Sequence, residues 1–215
     1  MSKKTTSYYH QSRPEMLALV PEESRAILDV GCGGGDFGVG LRQKCPTAEM
    51  SGIEINQEVA NRTPSVYTKV HVGDVHQVLV ELPNQAFDLI VFNDLLEHLV
   101  DPYKCLASCQ RVLKPRGRIL ASIPNMRFWP TLSDLVFQAD WRYRDAGVMD
   151  ETHLRFFTEK SIRRMFDDAG FEIEQMHGIN KTWIFSWRWR ILNLLFRGQL
   201  NDCLYPQFAV VAVLK

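Results

Sequence analysis

The stretch from Ala26 to Asp36, AILDVGCGGGD, constrains the fold of this chain more than any other. It begins with a continuous apolar run, which is typical of a parallel strand buried on both faces. Gly31, Gly33 and Gly35 follow directly, and residues without Cβ let backbone N–H groups approach a ligand closely. The apolar spacing of residues 37–44 favours a helix. The order strand, glycine turn, helix predicts a ligand cradle at a helix N-terminus.

Acidic residues around this turn indicate which class of ligand fits. The dinucleotide fingerprint G-x-G-x-x-G requires glycine where this chain has Asp36. Asp29 adds a second carboxylate on the strand just before the turn. Two acids repel a pyrophosphate and favour a cationic ligand. A nicotinamide oxidoreductase is therefore the less favoured alternative.

Three motifs resemble those of the class I S-adenosylmethionine-dependent methyltransferases. LDVGCGGG resembles their first motif, FDLIVFNDLLEHL resembles their fourth, and LKPRGRI before a strand is common among them. Their cofactor carries a sulfonium and an ammonium but no phosphate, which agrees with the acidic turn. The resemblance implies a Rossmann-like α/β fold: a doubly wound, seven-stranded, mostly parallel sheet with an antiparallel last strand, here over residues 208–214.

An acid at the end of the second strand, about 20 residues past the glycines, is where a ribose diol is bound. The resemblance gives this role to Glu54, with Ile55 beside it, against the alternative of a solvated charge at a strand end. It assigns the adenine amino group to Asp74 and the adenine ring to the backbone N–H of Val75. A plain Gly-Asp turn is the alternative reading of that pair.

The remaining cofactor contacts are predicted for the methionine part. The resemblance places Asn93 beside the transferred methyl group and the amine, and Arg13 at the carboxylate, although Arg13 also fits a solvated surface charge. Asp94 could instead cap the turn that follows. The predicted cofactor-binding residues are Arg13, Asp29, Gly31, Gly33, Gly35, Glu54, Ile55, Asp74, Val75 and Asn93.

Two histidines are candidate general bases. The segment DETHLRFFT at residues 150–158 resembles a signature of small bacterial methyltransferases encoded among polysaccharide- and lipid-modifying enzymes, and His153 within it is the first choice. A histidine that holds a lid by a backbone bond is the alternative. His98 is the second candidate, against a purely structural role. The spacing of Asp150, Glu151 and His153 is not diagnostic of a metal site, so no metal is predicted.

The chain is predicted to form one domain over residues 1–215, with insertions at about 126–157 and 181–206. Residues 126–157 read as a long irregular loop of the kind that forms lids or substrate walls. Residues 183–200 are aromatic and cationic, and Ser186, Arg190, Asn193 and Arg197 recur at helical spacing. Such a helix could lie on a membrane or cover a partner. Burial against its own domain or in a homodimer is the favoured alternative.

Composition limits the function classes. The formal net charge of the 215 residues is zero, which argues against a dedicated nucleic-acid binder. Five cysteines without a C-x-x-C pair indicate reduced thiols, and the N-terminal residues lack a signal-peptide pattern, so a cytoplasmic protein is expected. The expected function is methyl transfer to an O or N nucleophile on a small-molecule, glycan or lipid-linked acceptor. A cofactor-binding module without catalysis is the alternative.

Overall fold

The computed structural model describes residues 12–63, 65–182, 191 and 193–215. Seven strands form one sheet with helices on both faces. The strands are β1 (Ala26–Val30), β2 (Glu49–Glu54), β3 (Lys69–Val72), β4 (Phe87–Asn93), β5 (Leu113–Pro124), β6 (Phe171–Ile179) and β7 (Gln207–Leu214). The helices are α1 (Pro14–Leu17), α2 (Asp36–Lys44), α3 (Gln57–Ala60), α4 (Val75–Glu81), α5 (Pro102–Val112), α6 (Trp129–Phe137) and α7 (Glu159–Asp168).

The sheet order is β3-β2-β1-β4-β5-β7-β6. Strands β1 to β5 pair in parallel, whereas β7 pairs antiparallel with both β5 and β6. This arrangement confirms the predicted doubly wound fold with an antiparallel last strand. The strand order reverses between β1 and β4, and in open α/β sheets ligands bind above the carboxyl ends of the strands at that point.

Both faces of the sheet are packed, which explains the near-continuous apolar runs of the central strands. On one face, α4, α5 and α7 bury residues such as Leu106 and Phe166 against the sheet. On the other face, Met16 of α1 and Leu41 of α2 pack beneath β1 and β2. All five cysteines are buried and unbridged, as predicted.

Two boundaries differ from the sequence prediction. Strand β5 begins at Leu113 rather than at Arg118, because Leu113 pairs with Phe87 before a register shift brings Arg118 opposite Leu89. The insertion at 126–157 was expected to be irregular but contains α6, which has Pro130 in its first turn. Proline is favoured there because its missing N–H has no partner in a helix anyway.

Both ends of α7 carry residues that are typical of helix boundaries. Thr158 is the N-cap, and its side chain accepts a hydrogen bond from Ser161 N while Ser161 Oγ accepts one from Thr158 N. Gly170 follows the helix with φ 79°. None of the described helices is long and apolar enough to cross a membrane.

The predicted helix at 183–200 is described only in part. Ser186 and Arg190 lie outside the described residues. Within the described portion, Leu194, Leu195 and Phe196 are exposed rather than buried against the rest of the domain.

Candidate active site

The glycine turn between β1 and α2 is held in the shape that the sequence predicts. Gly31 has φ 75° and Gly35, the N-cap of α2, has φ 83°, a region that residues with Cβ rarely adopt. Gly31 N and Cys32 N both donate to Ile53 O, at 2.8 and 3.1 Å, which ties the turn to β2. The start of α2 is therefore fixed at the reversal point of the sheet.

Glu54, at the end of β2, is bound to the same turn. One carboxylate oxygen accepts a hydrogen bond from Gly33 N at 3.0 Å, and the other accepts one from Asn56 N at 2.8 Å. The residue is buried. Two backbone donors therefore fix the direction of the carboxylate before any ligand arrives. Ile55, next in sequence, is 71% exposed.

Asp29 is a buried acid whose environment the sequence did not reveal. Tyr67 Oη donates a hydrogen bond of 2.5 Å to its carboxylate. Burial raises the pKa of Asp29 to about 6; the Tyr67 hydrogen bond opposes this rise and the nearby Glu54 adds to it. A positive ligand in the crevice would favour the ionised form.

Asp74 follows β3 and its side chain caps α4. The cap agrees with the interpretation as a plain Gly-Asp turn, and the position after a strand agrees with the interpretation as a ligand contact. One carboxylate oxygen accepts a hydrogen bond of 2.8 Å from His76 N at the start of α4. Val75, the first residue of α4, is buried. The adenine contacts assigned to these two residues remain predictions.

Asn93 ends β4 at the reversal point. Both atoms of its side-chain amide are buried, and neither has a hydrogen-bond partner among the described residues. Leaving a buried amide unpaired costs about 1–3 kcal/mol. An orphaned donor and acceptor at this position fit a ligand that carries complementary polar groups, such as an amino-acid moiety.

Arg13 is anchored by side chains rather than exposed to solvent, which excludes its alternative reading as a solvated surface charge. Its guanidinium forms an ion pair with Asp94 and a hydrogen bond of 3.2 Å to Ser122 Oγ. Gln207 Oε1 accepts a further hydrogen bond at 3.2 Å. Burial lowers the pKa of Arg13, and the nearby Glu15 opposes this. The segment before α1 is thereby attached to the ends of β4, β5 and β7.

Asp94 does not cap the turn that follows it, which corrects one of its two readings. It adopts φ 47°, and the short 3-10 helix Leu96–His98 has no side-chain cap. Its carboxylate instead accepts hydrogen bonds from Ser122 Oγ at 2.7 Å and Gln207 Nε2 at 2.9 Å, beside Arg13.

The two predicted bases lie together, although 55 positions separate them in sequence. The ring centroids of His98 and His153 are 4.7 Å apart. His153 Nε2 lies 3.8 Å from Glu97 Oε1. Burial raises the pKa of Glu97 to about 8, and its own nearby backbone N–H and then Arg13 oppose the rise. Neither carboxylate oxygen of Glu97 has a hydrogen-bond partner among the described residues.

Backbone groups set the orientation of the two rings. Val148 O lies 3.0 Å from His153 Nδ1, and Thr152 O lies 3.2 Å from His98 Nδ1. Glu97 O accepts hydrogen bonds from Leu154 N and Arg155 N at 2.9 and 3.0 Å, which joins the insertion to the end of β4. The alternative role of His153, in which its ring holds a lid through a backbone hydrogen bond, also agrees with the structure, because the ring contacts the carbonyl oxygen of Val148 in the insertion.

Asp150 serves the turn before His153. One of its carboxylate oxygens accepts hydrogen bonds from Thr152 N and Thr152 Oγ1 at 2.9 and 2.6 Å, whereas Glu151 is exposed. Three aromatic rings belong to the same insertion, with Phe156 centred 5.3 Å from Trp141 and 6.4 Å from Tyr143. The ring of Phe156 is also centred 6.4 Å from that of His153.

Sequence reasoning missed four polar residues of this edge. Glu97 stands next to His98 in the fourth motif, so its position beside a candidate base was available from the sequence. The others reach the site only through the fold, because Tyr67 precedes β3 while Ser122 and Gln207 belong to β5 and β7.

The sequence profile of a protein family described as "Methyltransferase domain" matches residues 3–176. The chain belongs to this family. An uncharacterised methyltransferase of Schizosaccharomyces pombe is 26% identical over 189 residues, which cover 80% of this chain and 65% of that protein. A ubiquinone biosynthesis O-methyltransferase of Thiobacillus denitrificans is 28% identical over 79% of this chain and 76% of its own length. The chain thus spans slightly less than two thirds of the first of these relatives.

The fold has solved counterparts in the same class. The structure of an S-adenosylmethionine-dependent methyltransferase from Archaeoglobus fulgidus superimposes with a TM-score of 0.68 at 20% identity, covering 94% of this chain and 91% of the other. The chain therefore shares the Rossmann-like fold of that structure, and the methyltransferase domain that it contains uses S-adenosylmethionine as cofactor. The less favoured alternative, a nicotinamide oxidoreductase, is not supported by these matches.

The residues present fit this cofactor. The crevice offers the fixed carboxylate of Glu54, the acid Asp29 and the orphaned amide of Asn93, and it contains no cluster of cations that would suit a polyphosphate among the residues described around the glycine turn. S-adenosylmethionine supplies a sulfonium methyl group and a neutral leaving sulfur when bound.

Proposed function

We propose that this methyltransferase transfers the methyl group to a hydroxyl oxygen of a small, ring-bearing acceptor, either free or carried on a glycan or lipid. The observation that supports it most is the convergence at the end of β4. Within six residues the chain carries Asn93, with its unpartnered buried amide, and then Glu97 and His98, which lie next to His153.

The chemistry explains why this juxtaposition matters. The acceptor oxygen forms a bond to the methyl carbon as the carbon–sulfur bond breaks and sulfur keeps the electron pair. The acceptor O–H also loses its proton, so the products are a methyl ether, S-adenosylhomocysteine and a proton. A hydroxyl is a weak nucleophile until that proton leaves, and the cluster of Glu97, His98 and His153 lies where it would favour the loss.

The walls of the acceptor side favour a ring. Trp141 and Tyr143 are exposed and stand against Phe156, which gives flat apolar surfaces beside the histidines. Aromatic faces pack well against aromatic or sugar rings. The relative from Thiobacillus, an O-methyltransferase by name, supports oxygen rather than nitrogen as the acceptor atom.

The test measures release of S-adenosylhomocysteine by mass spectrometry from the purified protein with S-adenosylmethionine and one acceptor class at a time. Phenols and catechols, sugars, lipid-linked hydroxyls and amines form the panel. Release with a hydroxyl class above the blank without acceptor supports the proposal. Release with amines alone overturns the choice of oxygen, and release with no class overturns transfer to such acceptors. The variant Glu54→Ala is the matched inactive control.

A further inference from the structure

The cluster of Glu97, His98 and His153 has the residue types and the spacing of a cation site, which the sequence did not indicate. One ligand atom from each side chain lies within 4.8 Å of the other two. Glu97 and His98 belong to the 3-10 helix after β4, whereas His153 comes from the insertion. The backbone hydrogen bonds from Leu154 and Arg155 to Glu97 O hold these two segments in register.

Glu97 supplies the second, independent observation. It is 1% exposed, and both of its carboxylate oxygens lack a hydrogen-bond partner among the described residues. Arg13 is the basic side chain that acts on it, but that guanidinium is already paired with Asp94. A buried carboxyl group without hydrogen-bond partners is costly in free energy, and a bound cation would supply the missing partner. The carboxylate faces His153 Nε2 across 3.8 Å.

The histidines are oriented as metal ligands usually are. Val148 O lies near His153 Nδ1 and Thr152 O lies near His98 Nδ1. A carbonyl oxygen only accepts, so in each neutral ring Nδ1 carries the hydrogen and Nε2 carries the lone pair. An imidazole that donates its other N–H to a backbone carbonyl is the common arrangement around protein-bound metals, because the carbonyl fixes the tautomer and the ring plane.

We propose that Glu97, His98 and His153 bind one divalent first-row metal ion, with Zn²⁺ as the type. Two imidazoles and one carboxylate suit such ions and leave one coordination position open. At metal–ligand distances of about 2.0–2.2 Å the ligand atoms stand roughly 3.3 Å apart. The gap of 3.8 Å between Glu97 and His153 would therefore close by about 0.5 Å, and a gap at the 4.8 Å limit of the cluster by about 1.5 Å, when a metal binds.

The consequence for catalysis rests on the proposed function. A hydroxyl of the acceptor in the open position would lose its proton more easily, since a divalent cation lowers the pKa of a bound hydroxyl. The histidines would then act as ligands rather than as free bases. Metal binding itself does not depend on the acceptor, so it can be tested alone.

The experiment uses the full chain treated with chelator and then titrated with Co²⁺, whose visible absorption reports tetrahedral nitrogen and oxygen ligands. One equivalent is expected to bind, and Zn²⁺ is expected to displace it. Glu97→Gln and His153→Gln should each weaken Co²⁺ binding by at least tenfold. Glu151→Gln and His177→Asn are matched controls on exposed residues and should bind Co²⁺ as the unchanged protein does.

The outcomes separate this inference from the proposed function. Absence of a Co²⁺ spectrum, or a spectrum that persists in Glu97→Gln, overturns the metal site. Calorimetry with S-adenosylmethionine on the same samples shows whether each variant is folded and binds its cofactor. If Glu97→Gln does not fold, His98→Gln, at a half-buried position, provides the same test. A hydroxyl methylase that works fully in chelator supports the proposed function and overturns the metal.

Discussion

The crevice above the carboxyl ends of the strands has two sides, and their buried polar side chains differ in whether they have hydrogen-bond partners. On the β1–β3 side, the acids have protein partners: Glu54 accepts hydrogen bonds from two backbone N–H groups, Asp29 from Tyr67 and Asp74 from the start of α4. On the β4–β5 side, the side chains of Asn93 and Glu97 are buried without hydrogen-bond partners among the described residues. The first side is preorganised, and the second is incomplete without a ligand.

This difference follows from how each side is built. The β1–β3 side consists of strand ends and glycine turns, so backbone N–H groups reach the carboxylates of Glu54 and Asp74. The β4–β5 side is assembled from a strand end and a distant insertion, and its side chains meet only in the folded chain. Unpaired buried groups there indicate where a bound molecule would supply the missing partners.

The largest expected effect is a loss of cofactor affinity that leaves Co²⁺ binding to the histidine cluster unchanged. Glu54→Ala should weaken binding of S-adenosylmethionine by about 100-fold, because charge-assisted hydrogen bonds contribute roughly 1.5–3 kcal/mol each. Calorimetry measures it, and Co²⁺ binding to the histidine cluster should be unchanged. Glu49→Ala, an exposed acid at the other end of β2, is the control. Equal affinity of the Glu54 and Glu49 variants would contradict a cofactor role for Glu54.

Arg13 lies in the N-terminal segment, and replacing it tests whether that segment takes part in cofactor binding. Arg13→Ala should weaken S-adenosylmethionine by about 20-fold if the guanidinium pairs with the methionine carboxylate. It should leave the affinity for 5′-methylthioadenosine, which lacks that carboxylate, unchanged. Equal losses for both ligands would show instead that the variant disturbs the Asp94 network. Paired titrations of the two ligands decide between these readings.

The pH dependence of cofactor binding should report Asp29. Because its pKa is about 6, Asp29 is mostly ionised at pH 7 and mostly protonated at pH 5. Affinity for the cationic cofactor should therefore fall by about tenfold between those pH values. The groups that face Asp29 are Tyr67, Glu54 and Cys32, and burial raises the pKa of that thiol, so it stays neutral in this range.

Two variants sharpen this measurement. Tyr67→Phe removes the hydrogen bond that opposes the rise, so the midpoint should move to higher pH. Asp29→Asn should bind weakly at every pH and show no step. The free energy of unfolding should depend on pH in the opposite direction to the cofactor affinity. A carboxyl whose pKa is raised in the folded state takes up a proton on folding between about pH 4 and 6. Its contribution to stability therefore decreases as pH rises through that window. A step that survives in Asp29→Asn would assign it to another group.

The smallest expected effect lies outside both sides. Thr158→Ala removes one half of the capping box of α7 and should lower the free energy of unfolding by about 1 kcal/mol. Chemical denaturation measures this change. Cofactor affinity should not change, because α7 packs against β6 and α5. A large loss of affinity would show that α7 is coupled to the site.

Local patterns predicted much of the fold. The apolar run of β1, the glycine turn and the helix that follows it each depend on neighbours within a few positions, and all three were confirmed. The start of β5 was missed because its first residues pair with β4 across a register shift, which no local pattern records. Helix α6 was missed because its residues are not buried on one face, so the usual apolar stripe is weak.

The amino-acid sequence by itself determined the order of elements, the acidic glycine cradle and the class of cofactor, because these depend on short-range chemistry along one strand, turn and helix. Only the tertiary structure decided that Tyr67 lies against Asp29, that Arg13 pairs with Asp94, and that Glu97 meets His153. Each of those contacts joins residues far apart in sequence. Their distances are set by sheet order and by the path of an insertion, which residue spacing does not encode.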